Sequence, residues 1–155
     1  IGLAMEAADQ TIHGSQCLVT GCGRVGRLLA QRLQALGAQV TVSARRYGDL
    51  AWAAVWGYAR LRTDQLSGNL EKFDMIFNTV PALLFDAGLL CQLRKDCFLL
   101  DLASAPGGVD LDAARELHCR VGTAPGLPGR TAPRTAAAAI RDSIYHILEE
   151  RGEPI

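Results

Sequence analysis

A GxGxxG motif at residues 21–26, with the sequence GCGRVG, constrains the fold of this chain more than any other feature. The apolar segment 17–20 before it predicts a buried strand, and the amphipathic segment 27–36 after it predicts a helix that ends at Gly37. Residues 39–43 predict a second strand. A GxGxxG alone is a weak signal, but strand, motif, helix and strand in succession are typical of a dinucleotide-binding unit.

Each glycine of the motif has a predicted task. Gly21 allows the tight turn, Gly23 lets the backbone approach a pyrophosphate, and Gly26 lets the helix pack on the strand. The helix that starts at Arg24 and Val25 would offer its free N–H groups and partial positive charge to the phosphates. The alternative interpretation is a glycine-rich turn that binds no ligand.

The rest of the chain continues to alternate between strands and helices. Further strands are predicted at 58–61, 74–79, 97–102 and 119–122, and helices at 1–11, 49–56, 64–72, 87–93, 111–117 and 135–151. A loop rich in Pro and Gly is predicted from 125 to 133. This alternation predicts an α/β protein, a Rossmann-type doubly wound parallel sheet in a single domain.

Composition and charge exclude several classes of function. The 155 residues include 16 basic and 16 acidic side chains, so charge gives no reason to expect nucleic acid or an anionic membrane as partner. No apolar run approaches the ~20 residues of a membrane span. Five cysteines without a CxxC pair indicate a reducing cytoplasm, and three widely separated histidines predict no metal site.

The end of the second predicted strand indicates which dinucleotide is bound. An NAD-binding fold usually has Asp or Glu here, to accept hydrogen bonds from the ribose hydroxyls. This chain instead has Ser43, Ala44, Arg45 and Arg46. Arginine binds a 2′-phosphate that a carboxylate would repel, so the sequence predicts NADP(H) in preference to NAD(H). The alternative is that both arginines belong to a solvated turn.

The fourth predicted strand ends in a second candidate site. Asn78, Thr79, Val80 and Pro81 would lie beyond the carboxyl edge of the sheet, where ligands of doubly wound proteins bind. We expect them to border the ribose or nicotinamide of the cofactor. The alternative is an ordinary turn, which Asn and Pro also favour.

The fifth predicted strand ends in small residues, with the sequence DLASAPGG at 101–108. Ala103 and its small neighbours would let a nicotinamide ring lie against the backbone. Asp101 and Ser104 are candidate catalytic residues, and the equal alternative for Asp101 is a carboxylate that holds loop amides. In the 125–133 loop, Arg130 is a further candidate catalytic residue, as a contact for a substrate carboxylate, and a stiff connector is the alternative.

Five segments together resemble the family of dipicolinate synthase A subunits. They are 11–15 (TIHGS), 21–26, 78–81 (NTVP), 101–108 and 125–129 (PGLPG), and they occur in that family's order and spacing over about residues 11–150. The resemblance implies a nicotinamide-dependent oxidation of dihydrodipicolinate to dipicolinate in endospore formation. It also implies a small dicarboxylate substrate and, as partner, the flavoprotein-like B subunit of dipicolinate synthase, and it leaves a homo-oligomer open.

The same resemblance implies a domain organisation. Residues 1–12 would be a helix that connects to a preceding N-terminal domain, and residues 13–155 would form the dinucleotide-binding domain with its C-terminal helix. The resemblance to alanine dehydrogenase and transhydrogenase is more distant. That family carries a functional Asp where this chain has Ala105, so its amino-acid chemistry is not carried over.

Without that acid, the residue that transfers a proton is not identified. His13 is a candidate only if it faces the cleft. Two alternative functions stay open: a dinucleotide-binding module with no chemistry of its own, and a dehydrogenase domain for another amino or hydroxy acid.

Overall fold

The structure, a computed structural model, describes residues 1–152. Its strands are β1 (Gln16–Thr20), β2 (Gln39–Ala44), β3 (Ala59–Arg62), β4 (Met75–Asn78), β5 (Phe98–Asp101) and β6 (Arg120–Thr123). Its helices are α1 (Gly2–Ala8), α2 (Arg24–Ala35), α3 (Tyr47–Val55), α4 (Ala87–Leu90), α5 (Leu111–Glu116), α6 (Leu127–Thr131) and α7 (Pro133–Arg151).

The six strands form one parallel sheet in the order β3-β2-β1-β4-β5-β6. The chain winds outward from β1 to β3 and then returns to the other side of β1, so the winding direction changes between β1 and β4. Thr20 is level with Ser43 on one side and Asn78 on the other, and Asn78 is level with Asp101. The carboxyl ends of the central strands therefore meet at one edge. The predicted Rossmann-type doubly wound fold is confirmed.

The sheet buries apolar side chains because both of its faces are covered. All four residues of β4 and of β5 are buried, as expected for central strands of a parallel sheet. One core cluster includes Leu18, Ile76 and Leu99 from three neighbouring strands, together with Phe73 and Phe85 from the connections. Fully burying a side chain of this kind contributes about 1.5–3 kcal/mol, so the centre of the sheet is a rigid base for the loops at its edge.

Residues Ile1–Pro125 form one compact unit that contains the whole sheet, and a second, helical unit begins at Gly126. Helix α1 belongs to the first unit, where Ala4 and Ala8 are buried and Arg120 donates a hydrogen bond to the carbonyl of Ala7. The predicted division between residues 1–12 and 13–155 stays a prediction, and residues 153–155 lie outside the described chain.

The prediction of a helix at 64–72 is wrong. A short 3₁₀ turn at Thr63–Gln65 is formed instead. Gly68 has a left-handed φ of 75°, and the Gln92 side chain accepts a hydrogen bond from its amide at 2.7 Å. Leu66 and Leu70, on either side of Gly68, are both buried in the core. Their burial, rather than helix propensity, therefore determines the conformation of residues 64–72.

The loop predicted at 125–133 is also wrong, because α6 occupies most of it. Gly126, with φ 64°, precedes the helix, and Pro128 is its second residue. Pro is tolerated there because the first amides of a helix have no intrahelical partner. The final helix begins at Pro133, two residues before its predicted start.

Candidate dinucleotide-binding site

A cleft of about 1070 Å³ lies at the carboxyl edge of the sheet, where the winding direction changes. Its volume is just above the ~300–1,000 Å³ that is usual for ligand pockets. It is lined by the loop after β1 (residues 21–26), the end of β2 and start of α3 (Ala44, Arg45, Arg46, Asp49), Thr63, and the loop after β4 (residues 79–84).

Two glycines of the first loop are required by the protein's own packing. Gly21 has φ 92°, and a Cβ there would lie 2.5 Å from Thr79 Oγ1. A Cβ on Gly26 would overlap the carbonyl oxygen of Gly21, so only glycine lets α2 approach the end of β1 this closely. Both positions therefore have the structural roles that the motif predicts.

Gly23 is different, because neither its backbone conformation nor its contacts with the described residues require a glycine. Its φ of −79° is accessible to every residue type, and no other atom of the described residues lies within 4 Å of a Cβ built on it. It occupies the N-cap of α2, where Ser or Asp would cap the helix better. The open space at this position is on the lining of the cleft, as expected if a ligand approaches the backbone there.

The N-terminus of α2 also fits an anion. Within the described chain, α2 has no side-chain cap and no acidic residue in its first turn, so its leading amides are free. Arg24 lines the cleft at the first helical position, and Val25 follows it. Arg27 Nε donates to the carbonyl of Cys22 at 2.9 Å, which steadies the loop from behind. A phosphate group would find both hydrogen-bond donors and positive charge here.

The two arginines after β2 are held differently. Arg46 Nε lies 3.2 Å from Asp49 Oδ2, and Arg27 lies 3.0 Å from the other oxygen of the same carboxylate. Arg45 is exposed and makes no salt bridge with any residue from Ile1 to Gly152. Asp49 is a cleft residue that the sequence did not reveal, because it lies in a helix rather than at the end of a strand.

The structure does not place Ser43 in the cleft. Its side chain is fully buried, and its hydroxyl lies 3.2 Å from that of Thr63. Successive residues of a strand point to opposite faces, and here Ala44, the last residue of β2, lines the cleft in its place. Thr63 also lines the cleft, and none of the sequence motifs includes it.

The loop after β4 is only partly as predicted. Thr79, Val80 and Pro81 line the cleft, and Thr79 Oγ1 donates to the carbonyl of Thr20 at 2.8 Å. Asn78 does not line it, because its side chain is fully buried and hydrogen-bonds to Thr20, Val80 and Asp101. The cleft wall continues through residues 82–84, which the sequence motifs do not include.

The segment after β5 lies at the same edge of the sheet but does not line this cleft. Asp101 is buried and accepts hydrogen bonds from Asn78 Nδ2 (2.8 Å), the Ala103 amide (3.1 Å) and the Gly108 amide (2.9 Å). It has the alternative role, that of a carboxylate that holds loop amides. Ala103 is buried, and Ser104 is exposed to solvent.

His13, the candidate for proton transfer, does not lie at this edge of the sheet. His13 precedes β1, against Gly37, at the amino edge of the sheet. Five strand residues separate it from the loop that starts at Gly21, a distance of about 16 Å along a strand, so the condition for its candidacy is not met. Arg130 lies in α6, and its role stays a prediction.

Cysteines and metals add little to the site. The Cys22 side chain is buried in the loop after β1, and burial raises the pKa of its thiol, which suits a small packing residue rather than a nucleophile. Among residues 1–152, no group of three or more His, Cys, Asp or Glu side chains is arranged to hold a metal ion. No helix of that part is long and apolar enough to cross a membrane.

Comparison with known proteins gives the family. Residues 4–106 match the family described as D-isomer specific 2-hydroxyacid dehydrogenase, NAD binding domain. The chain is 38% identical over 150 residues to the A subunit of dipicolinate synthase from Bacillus subtilis (strain 168), covering 97% of this chain and 50% of that protein. The crystal structure of the same Bacillus subtilis protein, also 38% identical, has a TM-score of 0.92 over 96% of this chain and 50% of that one.

Two further crystal structures extend the comparison. The A subunit of dipicolinate synthase from Bacillus halodurans is 38% identical, with a TM-score of 0.91 over 96% of this chain and 51% of that one. The transhydrogenase from Sinorhizobium meliloti, 19% identical with a TM-score of 0.63, covers 69% of this chain and 37% of its own and shares the fold alone. The chain thus spans about half the length of its dipicolinate synthase relatives.

These matches agree with the order of the strands and with the glycine loop at their carboxyl edge. The chain belongs to the family of D-isomer specific 2-hydroxyacid dehydrogenase NAD-binding domains, and it is similar to the A subunit of dipicolinate synthase.

Proposed function

We propose that this chain binds NADP(H) in the cleft and is the dinucleotide-binding domain of an oxidoreductase that converts dihydrodipicolinate to dipicolinate. The observation that supports a bound cofactor is Gly23, at the free N-terminus of a helix. Neither its backbone conformation nor its packing requires a glycine. A ligand phosphate that needs this space accounts for the residue.

Different parts of the cleft would hold different parts of the cofactor. The amides that follow Gly23, with Arg24 beside them, would bind the pyrophosphate. Ala44, Arg45 and Thr63 would hold the adenosine end, because they line the cleft beside the end of β2. Residues 79–81 would border the nicotinamide end, which would supply the hydride acceptor.

The preference for NADP(H) rests on the charges beside β2. The last strand residue is Ala44, so no carboxylate stands at the end of β2 to oppose a 2′-phosphate. Arg45 has no competing acidic partner among residues 1–152, so its guanidinium is available for a bidentate hydrogen bond. Arg46 is already engaged by Asp49, so it would contribute less.

The reaction is inferred from the relatives. Dihydrodipicolinate loses a hydride to NADP⁺ and a proton to a base, and aromatic dipicolinate is the product. The product would serve endospore formation, and the designation of the relatives as one subunit of a synthase supports a second subunit, flavoprotein-like in character, which would be the partner. The substrate is a small dicarboxylate, for which Arg130 stays a candidate contact.

A second function is favoured by one observation. Among the described residues that line the cleft, the one carboxylate is Asp49, which is paired with two arginines. No histidine among residues 1–152 lines the cleft. The base would have to come from elsewhere, so the alternative is a dinucleotide-binding module without chemistry of its own. Assays of the longer relatives, with and without the second subunit, and with substitutions in the cleft, distinguish the two.

The substitution Gly23→Ser tests the cofactor. Ser is a better N-cap than Gly by a few tenths of a kcal/mol, so we expect the free energy of unfolding to stay level or rise slightly. The added hydroxymethyl group would occupy the space of the phosphate, and we expect NADPH affinity to fall at least tenfold. Calorimetric titration of both proteins with NADPH measures the affinity.

Gly48→Ser is the matched control. Gly48 is also free of neighbours within 4 Å and lies in α3, next to the cleft but not on its lining. It should bind NADPH like the wild type. Unchanged NADPH affinity in Gly23→Ser would contradict the proposed site.

A further inference from the structure

A chain of buried hydrogen bonds crosses the ends of three neighbouring strands. Thr20 Oγ1, at the end of β1, donates to Asn78 Oδ1 at 2.7 Å. Asn78 Nδ2, at the end of β4, donates to Asp101 Oδ1 at 2.8 Å, at the end of β5. Each of the three side chains is at most 5% exposed. Buried polar groups of this kind fix a unique arrangement when all of them are satisfied.

Asp101 extends this chain of bonds into the turn that follows β5. Its Oδ1 also accepts from the Ala103 amide at 3.1 Å, and its Oδ2 accepts from the Gly108 amide at 2.9 Å. The carboxylate thus holds both ends of the turn through hydrogen bonds. Ser104 lies between these ends, exposed at the carboxyl edge of the sheet.

Asn78 extends the same chain of bonds into the wall of the cleft. Its Oδ1 accepts from the Val80 amide at 3.2 Å, and its Nδ2 donates to the Val80 carbonyl at 3.1 Å. Val80 lines the cleft. One amide side chain is therefore shared by the wall of the cleft and by the carboxylate that holds the turn.

Gly108 provides a second contact between the two segments. Its carbonyl accepts hydrogen bonds from the amides of Leu84 and Phe85, both at 2.9 Å. A Cβ on Gly108 would overlap Asn78 Nδ2 and lie 2.5 Å from the carbonyl oxygen of Val80. Glycine is needed here so that the turn can lie directly against the loop after β4, and not to admit a ligand.

We propose that Asp101 is a positioning residue that ties the turn at residues 103–108 to the Val80 wall of the cleft, so that cofactor bound against this wall also orders the turn. This inference rests on the proposed cofactor site. A carboxylate suits the task because it accepts all three hydrogen bonds and donates none, whereas an asparagine would present an N–H group to one of the donors. With its oxygens engaged by protein donors, Asp101 does not touch the reacting atoms.

Hydrogen–deuterium exchange of the 155-residue chain, with and without NADPH, tests whether Asp101 links the turn to the Val80 wall of the cleft. In the wild type we expect NADPH to slow exchange at 21–26, at 79–84 and also at 102–109. In Asp101→Asn we expect exchange at 102–109 without cofactor to be about tenfold faster, as for the loss of one hydrogen bond to a charged group. NADPH should still protect 21–26 and 79–84 in that variant and lose its effect on 102–109.

Asp110→Asn is the matched control. Asp110 also accepts two backbone amides, from Asp112 and Ala113, at the N-cap of α5, but it does not contact Asn78. Asn caps a helix as well as Asp, so exchange at 102–109 should match the wild type. A merely weakened fold would raise exchange throughout residues 16–123, whereas the tie predicts a change confined to the turn.

Two results would overturn the proposal: wild-type exchange at 102–109 in Asp101→Asn, or equal protection of that segment by NADPH in both proteins. If Asp101→Asn does not fold, Thr20→Val removes one donor to Asn78 at nearly constant volume and should give the same pattern more weakly. If NADPH protects no segment of the wild type, both the proposed binding of NADP(H) and the ordering of the turn by bound cofactor are contradicted. The comparison of exchange without cofactor then still decides whether Asp101 holds the turn.

Discussion

Arg45 and Arg46 are neighbours in sequence with different surroundings, which allows their contributions to cofactor choice to be separated. Asp49 already engages Arg46, whereas Arg45 has no acidic partner among residues 1–152. We expect Arg45→Ala to weaken NADPH binding by ~1.5–3 kcal/mol, the usual value of a hydrogen bond to a charged group, and to leave NADH binding nearly unchanged. Calorimetry with both cofactors measures the difference.

Arg46→Ala is the internal comparison for that experiment. Because Arg46 is engaged by a carboxylate, its removal should cost less NADPH affinity than that of Arg45. Equal affinity of the wild type for NADPH and NADH would contradict the preference, and a larger effect at Arg46 would contradict the assignment to Arg45.

Gly26 makes a prediction about stability rather than binding. A Cβ there would overlap the carbonyl oxygen of Gly21, which is backbone and cannot rotate away. We expect Gly26→Ala to lower the free energy of unfolding by about 1–3 kcal/mol, as for other overpacked sites. Urea denaturation measures the change. Gly48→Ala, with open space around its Cβ, should show no such loss, and a loss of equal size there would contradict the packing argument.

At the scale of residues, sequence reasoning was strongest where a role depends on the backbone. The roles of Gly21 and Gly26 followed from motif spacing, because the turn and the helix–strand contact are local. Ser43 and Asn78 were misplaced, because single-residue register decides which side chain at the end of a strand faces the cleft. Asp49 was missed because its role depends on two arginines, one of which precedes it by 22 residues.

Among the elements, the strands were predicted well because each is a short apolar run bounded by turn residues. The segment at 64–72 was predicted wrongly, because Leu66 and Leu70 have the spacing of one helix face but are buried by a segment that is not helical. Helix α6 was missed because its Pro and Gly residues read as a loop, whereas Pro128 at the second helical position costs no hydrogen bond.

The start of β5 predicts how stability depends on alkaline pH. Cys97 is 1% exposed, and burial raises the pKa of its thiol from 9.0 to about 12. The folded state therefore keeps a proton that the unfolded state releases above pH 9, so this contribution is complete below pH 9 and is lost as the pH rises towards 12. Relative to Cys97→Val, wild-type stability should fall by up to about 1.4 kcal/mol per pH unit above about pH 9.

Urea denaturation of both proteins from about pH 8 to about pH 11 measures this slope. The other buried cysteines are present in both proteins, so their effects cancel in the difference. Cys91→Val is the control, because Cys91 is exposed and solvated in either state. A constant difference between wild type and Cys97→Val across this range would contradict the burial argument.

At the scale of the whole molecule, the cleft is open to solvent on the side where a substrate would approach the nicotinamide. The exposed residues Pro81, Ala82 and Leu83 form that side. Closure of a lid or of a second domain over a bound substrate excludes water and positions the reacting groups. The dipicolinate synthase relatives are about twice as long as this chain. We therefore expect this molecule to bind the cofactor without catalysing the reaction.

We expect the 155-residue chain to bind NADPH and to form no dipicolinate by itself. The measurement is dipicolinate formation, followed by its ultraviolet absorbance, from dihydrodipicolinate and NADP⁺, against a blank without protein that corrects for spontaneous oxidation. NADPH binding measured by calorimetry in the same preparation shows that the cleft is intact, and a longer relative assayed with its second subunit is the positive control. Dipicolinate formation above the blank, abolished by Gly23→Ser, would show that residues 1–155 hold the complete catalytic apparatus and would contradict the need for a second domain.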